Sequence, residues 1–155
     1  NRLPLIEEGA ARLGITSIRT ATGDSSLPAP DRLASFDRVI CDVPCSGLGV
    51  IRRKPEIRFK DPAEIATLPK IQYKIASTTA KYLKDGGTMI YSTCTLSKEE
   101  NEQVVKRLLE EEGLVPAELP EELKKYSKDG YSVTLMPGEI NSDGFYFAKL
   151  RKEVK

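Results

Sequence analysis

Histidine is absent from this chain of 155 residues. That zero removes Cys-His and Ser-His-Asp nucleophilic machinery, and any zinc site with an imidazole ligand. Long apolar runs are missing as well. No window approaches the length of a membrane span, and no basic-then-apolar signal opens the chain. Cysteine is scarce: three residues cannot all pair within one chain, and three cysteines alone make a poor metal site. Reduced thiols and a cytoplasmic setting are therefore the expectation. An excess of either charge is also lacking, with 24 basic against 23 acidic residues and a net of +1. A nucleic-acid surface would have to come from local clustering rather than bulk charge.

What is present suits one core, at 39% hydrophobic over 155 residues. Leu3, Ile6, Ala10 and Leu13 fall at helical spacing, with Gly14 placed to end the helix. Asn1 is not a methionine and lies inside this pattern, so the chain reads as a piece of a longer protein. Alternating helix and strand patterns follow, which argues for a parallel α/β domain over residues 1–155. Ile18 to Thr22 reads as a short strand, residues 25–35 as a loop, and Arg38 to Val43 as an apolar strand buried on both faces. Asp61-Pro62 has the form of a helix start. Pro69 is expected to bend or restart that helix, which continues through Ile71, Ile75, Thr79 and Leu83 to Gly86-Gly87. Thr88 to Thr93 is the next strand. Ser97-Lys98-Glu99-Glu100 has a capping-box pattern ahead of Val104, Val105, Leu108 and Leu109. Residues 116–130 read as a surface excursion, and Phe145, Phe147 and Leu150 as a last strand.

Two of these strands run into cysteine, at Pro44-Cys45 and Thr93-Cys94. In open α/β sheets the functional crevice lies beyond the carboxyl ends of the strands, so both thiols are expected on one rim. Cys41, inside an apolar strand, reads as a small buried hydrophobe. Arg52, Arg53, Lys54, Arg58 and Lys60 form a basic run directly after the Pro-Cys turn. It is either a solvated face or a phosphate contact with salt-dependent affinity.

The stretch Asp42-Val43-Pro44-Cys45-Ser46-Gly47-Leu48-Gly49-Val50-Ile51-Arg52-Arg53-Lys54-Pro55 resembles the Pro-Cys motif of the Sun/Fmu family of RNA cytosine-5 methyltransferases. Tyr91-Ser92-Thr93-Cys94-Thr95-Leu96, followed by Glu99-Glu100-Asn101-Glu102, is similar to that family's second cysteine motif. Ser142-Asp143-Gly144-Phe145-Tyr146-Phe147 is similar to its last strand. The resemblance implies a Rossmann-like fold dependent on S-adenosylmethionine, with the first two strands and the glycine-rich donor segment lying ahead of Asn1. It implies a structured RNA with an accessible cytosine, ribosomal RNA in the first place, as substrate. It assigns attack on the base to Cys94 and breakdown of the adduct to Cys45. Asp42 would stand close to base and donor, and Asp24 near the donor's adenine. Arg52, Arg53 and Lys54 would meet phosphates. Asp42 and Asp24 also read as ordinary aspartates of a strand end and a turn. Two other functions stay open: a non-catalytic RNA-binding module, and an amino-methyltransferase of the same fold, against which Pro44-Cys45 and the second cysteine stand.

The cut implied by the resemblance has a consequence. The chain alone is expected to be catalytically silent. Its second strand would become an open edge that either receives the Ile18–Thr22 segment or pairs with another copy.

Overall fold

A computed structural model describes residues 2–139 and 141–154; the helical placement of Asn1 lies outside them. The elements are α1 (Leu3–Arg12), β1 (Phe36–Asp42), α2 (Pro62–Ala80), β2 (Leu83–Thr93), α3 (Glu102–Glu111), β3 (Leu114–Pro116), α4 (Glu121–Lys124), β4 (Ser132–Leu135) and β5 (Phe145–Lys152). β1 and β2 run parallel, with Asp42 opposite Ser92. β5 lies antiparallel to β2, and its far side pairs with β4 at one end and β3 at the other. The sheet is thus mixed rather than parallel throughout. Only the β1–α2–β2 unit has the crossover that parallel pairing requires.

The core sits on one face, where Ala76 and Ala80 of α2 and Val104, Val105 and Leu108 of α3 meet Cys41, Met89, Tyr91, Ala148 and Leu150. Tyr91 and Tyr146 pack edge to face with ring centroids 6.4 Å apart. β1 therefore buries Cys41, as the chain buries Val43 just beyond it, whereas Ile40, pointing the other way, is 79% exposed. The expectation of burial on both faces fails for this strand. Among the described residues nothing pairs with its outer edge. No strand forms at Ile18–Thr22, so that segment does not slide in beside β1. The loop instead docks against the carboxyl end of α2, where Tyr82 Oη accepts the Ala29 amide (2.9 Å) and Thr78 Oγ1 donates to the Ser26 carbonyl (3.3 Å).

α2 starts as expected, with Asp61 accepting the Ala63 amide at 2.8 Å. It continues through Pro69 without restarting, giving up one backbone hydrogen bond, for which Pro69 has no N–H. It stops at Ala80, short of Gly86. Leu83 keeps the helical spacing but is the first residue of β2 and is buried there. Gly86, at φ +75°, and Gly87 belong to a bulge between Leu83 and Thr88, where the register with β1 shifts. α3 likewise starts later than the capping box suggests. Ser97 Oγ accepts the Glu100 amide at 3.4 Å, but the Glu100 carboxylate turns inward to other partners.

Candidate active site

Parallel pairing with Asp42 opposite Ser92 brings the residues after β1 and β2 to one rim. Cys45 Sγ and Cys94 Sγ stand 3.0 Å apart, although 49 residues separate them in sequence. The Cys94 amide also donates to Cys45 Sγ at 3.3 Å. Both cysteines are free and half-buried, while Cys41 is buried in the core. Burial, then the hydrogen bond to Cys94, pushes the Cys45 thiol up to about 12. Cys45 is therefore a thiol at neutral pH, and either sulfur of the pair can be the donor.

The loops carrying the thiols are locked by polar groups. Glu100 and Gln72 are fully buried. Glu100 Oε2 accepts the Ser46 amide (2.9 Å) and Gln72 Nε2 (2.8 Å), and Gln72 Nε2 also reaches the Pro44 carbonyl (2.9 Å). Ser46 Oγ and Thr95 Oγ1 are 2.6 Å apart, and Lys60 Nζ donates to the Ser46 carbonyl at 2.7 Å. Asn101 accepts from Thr93 Oγ1 (2.6 Å) and donates to the Thr95 carbonyl (3.0 Å).

A second lock joins the third motif. The Gly49 amide donates to the Cys94 carbonyl (3.0 Å), and the Gly144 amide donates to the Gly49 carbonyl (2.8 Å). A Cβ on Gly49 would meet the Gly144 carbonyl oxygen at 2.1 Å, so only glycine permits this crossing. Beside it Asp143, 6% exposed, forms ion pairs with Arg53 and, at 3.7 Å, Arg52. Two of the three expected phosphate contacts thus already have a protein partner; Lys54 is exposed and its side chain has none among the described residues. Asp42 is exposed at the end of β1 and accepts from Ser92 Oγ at 3.1 Å. Asp24 stands apart in the 21–32 loop. There Oδ1 accepts the Ser26 amide at 2.9 Å, and the amide, then the hydroxyl, of Ser26 holds its carboxyl below the usual range. This loop, with Arg32 and Tyr82, lines a cavity of about 260 Å³. The structure therefore brings Cys45, Cys94 and Asp42 to one rim, adds Arg52, Arg53 and Asp143 beside it, and does not bring Asp24 into contact with them. Among the described residues, no cluster suited to a metal is present, and no helix is long and apolar enough to cross a membrane.

A β-α-β parallel pair, continued antiparallel, with its polar rim beyond the carboxyl ends of β1 and β2, is a Rossmann-like methyltransferase fold. The structure of NSun6 from Pyrococcus horikoshii superposes with a TM-score of 0.82 and 29% identity, over 100% of this chain and 40% of that one. The chain belongs to the family described as 16S rRNA methyltransferase RsmB/F, whose model matches residues 1–151. It is 36% identical over 99% of its length to a probable ribosomal RNA small subunit methyltransferase B of Bacillus subtilis. A protein of the same description from Synechocystis is 39% identical over 97% of the chain. The chain spans about a third of the length of these curated relatives, 36% and 35% respectively.

Glu100, Gln72, Asn101 and Asp143 are the site residues that sequence reasoning did not single out. Glu100, Asn101 and Asp143 stood inside the motifs, but polar residues in a helix-start pattern and an Asp-Gly turn each have a sufficient local explanation. Gln72 carried no signal beyond a polar residue on the apolar side of α2.

Proposed function

We propose that this chain is the cysteine-bearing part of an RNA cytosine-5 methyltransferase that modifies ribosomal RNA, with S-adenosylmethionine as methyl donor. The observation that carries this reading is the pair of thiols 3.0 Å apart beyond neighbouring parallel strands, with Asp42 on the same rim. The names of the curated relatives support ribosomal RNA as the substrate. The NSun6 structure holds SFG, an analogue of the donor.

Asp42, exposed at a strand end, and Asp24, in a cavity of mixed polar and apolar lining, fit the polar groups of such a donor and would hold it from this chain's side. The donor supplies, when bound, an electrophilic sulfonium methyl group. Carbon 5 of cytosine is too poor a nucleophile to take it unaided. In the proposed sequence the Cys94 thiolate adds to carbon 6, and the ring becomes an enamine as nitrogen 3 gains a proton. Asp42 stabilises the protonated ring. Cys45, kept protonated by burial, donates to the Cys94 sulfur and presents no competing anion. Once carbon 5 has taken the methyl group, with the donor's thioether as leaving group, the carbon 5 proton leaves to a base, the carbon 5–carbon 6 double bond reforms, the sulfur–carbon 6 electron pair returns to Cys94, and nitrogen 3 gives its proton back. Cys45 assists this release. The target base has to be unstacked to reach the sulfur, and Lys54, with Arg52 and Arg53, meets the backbone. With only Asp24 and Asp42 for the donor, the chain alone is expected to be silent.

The test is a pair of variants in the full-length protein. Cys94→Ala is expected to abolish methyl transfer and adduct formation, and Cys45→Ala to let the covalent RNA complex accumulate. Normal turnover by the Cys45 variant, or methylation by the Cys94 variant, would defeat the assignment.

A further inference from the structure

Cys94 follows directly on a regular strand whose ladder to β1 and β5 extends through Ser92 and Thr93. Cys45 has no comparable support. It lies in the irregular turn beyond β1, and side chains from elsewhere hold the backbone groups on either side of it. Gln72 holds the Pro44 carbonyl, Glu100 the Ser46 amide, and Lys60 the Ser46 carbonyl. Glu100 is the centre of this arrangement. Its second oxygen lies 3.4 Å from Thr95 Oγ1, so one carboxylate meets the residue after each cysteine. Burying a carboxylate is costly unless donors meet it, and an apolar side chain would fill the same space without that cost. Both Glu100 oxygens are met here, while Gln72 Oε1 is buried without a hydrogen-bond partner among the described residues; a buried polar network whose carboxylate is met specifies one geometry.

We infer that Glu100, with Gln72 as its partner, is a positioning residue that sets the separation of the two thiols by holding the Cys45 turn. It acts on product release rather than on the attack by Cys94. The catalytic half of this inference rests on the roles proposed above for the two cysteines; the geometric half does not.

Two readouts test the halves separately. In the chain itself, oxidised glutathione converts the two thiols to a Cys45–Cys94 disulfide with release of two reduced glutathiones. The equilibrium constant reports how closely the sulfurs are held. Glu100→Gln places an amide where three donors converge, and Gln72→Met removes the donor to Pro44 and to Glu100 while keeping the carboxylate. Each is expected to lower that constant about tenfold or more, with the circular dichroism spectrum unchanged. In the full-length protein the same variants are expected to accumulate the RNA adduct. There kcat falls about tenfold and KM for RNA stays within about twofold, a split that loss of fold would not give. If Glu100→Gln does not fold, Gln72→Met decides alone. A wild-type chain that forms no disulfide, or an unchanged constant in the folded variants, overturns the inference. A lowered constant with wild-type turnover overturns its catalytic half. A wild-type protein that forms no RNA adduct defeats the proposed roles of the cysteines, and with them that half, while the disulfide constant still judges the clamp.

Discussion

Withdrawing water from a thiol makes it harder to ionise, and here burial does so unevenly. Cys41 is pushed up by the core around it, and Cys45 to about 12 by burial and its bond to Cys94. Because the raised value keeps the proton on, both stay thiols as pH rises through the neutral range. Iodoacetamide at pH 8 is accordingly expected to label Cys94 first; peptide mapping showing Cys45 or Cys41 labelled ahead of it would contradict the geometry. The basic run divides in the same way. Arg53→Ala leaves the buried Asp143 carboxylate with only the longer Arg52 contact, and is expected to cost about 1–2 kcal/mol in urea unfolding. Lys54→Ala should leave stability unchanged and weaken RNA binding, reducing the salt slope by roughly one unit. Equal effects of the two substitutions on stability would argue against this division. The cysteines and Asp42 were legible in the sequence because strand ends and motif order mark them. The ion pairs of Asp143 were not, since they depend on β5 lying beside β2, a long-range pairing that no local pattern encodes.

At the scale of elements, legibility follows how local the causes are. α2 opens where Asp61-Pro62 marks it, because capping is settled within one turn. Its end is not marked locally, because Leu83 is apolar for the sheet and falls in helical phase. The capping box ahead of α3 failed because Glu100 is drawn to Ser46 and Gln72, a tertiary demand that overrides a local one. β3 and β4, of three and four residues, are too short to carry a periodic signal and exist by pairing with β5. The outer edge of β1 is the element most at odds with its composition. Val39, Ile40 and Cys41 make a strand that ordinarily has neighbours on both sides, yet this edge is open among the described residues. Sedimentation of the isolated chain is expected to show self-association that rises with concentration, and Ile40→Lys to suppress it. A monomer at all concentrations would remove the edge as an association surface.

For the whole molecule, three stretches far apart in sequence converge on one rim: the Pro-Cys turn, the loop after β2, and the Asp143-Gly144 turn before β5. The Gly49–Gly144 crossing and the Glu100 network keep them there, which gives a structural reason for the three motifs to meet. The chemical claim that joins them is a covalent bond between Cys94 and carbon 6 of a cytosine. Its most direct test is to incubate the full-length protein and the methyl donor with ribosomal RNA carrying 5-fluorocytosine, whose fluorine cannot leave as a proton does, and to map the cross-linked peptide by mass spectrometry. The expected result is a stable RNA–protein adduct on Cys94, present in the wild type and absent from Cys94→Ala. An adduct on Cys45, or methylation of unmodified RNA with no adduct to the fluorinated substrate, would contradict it.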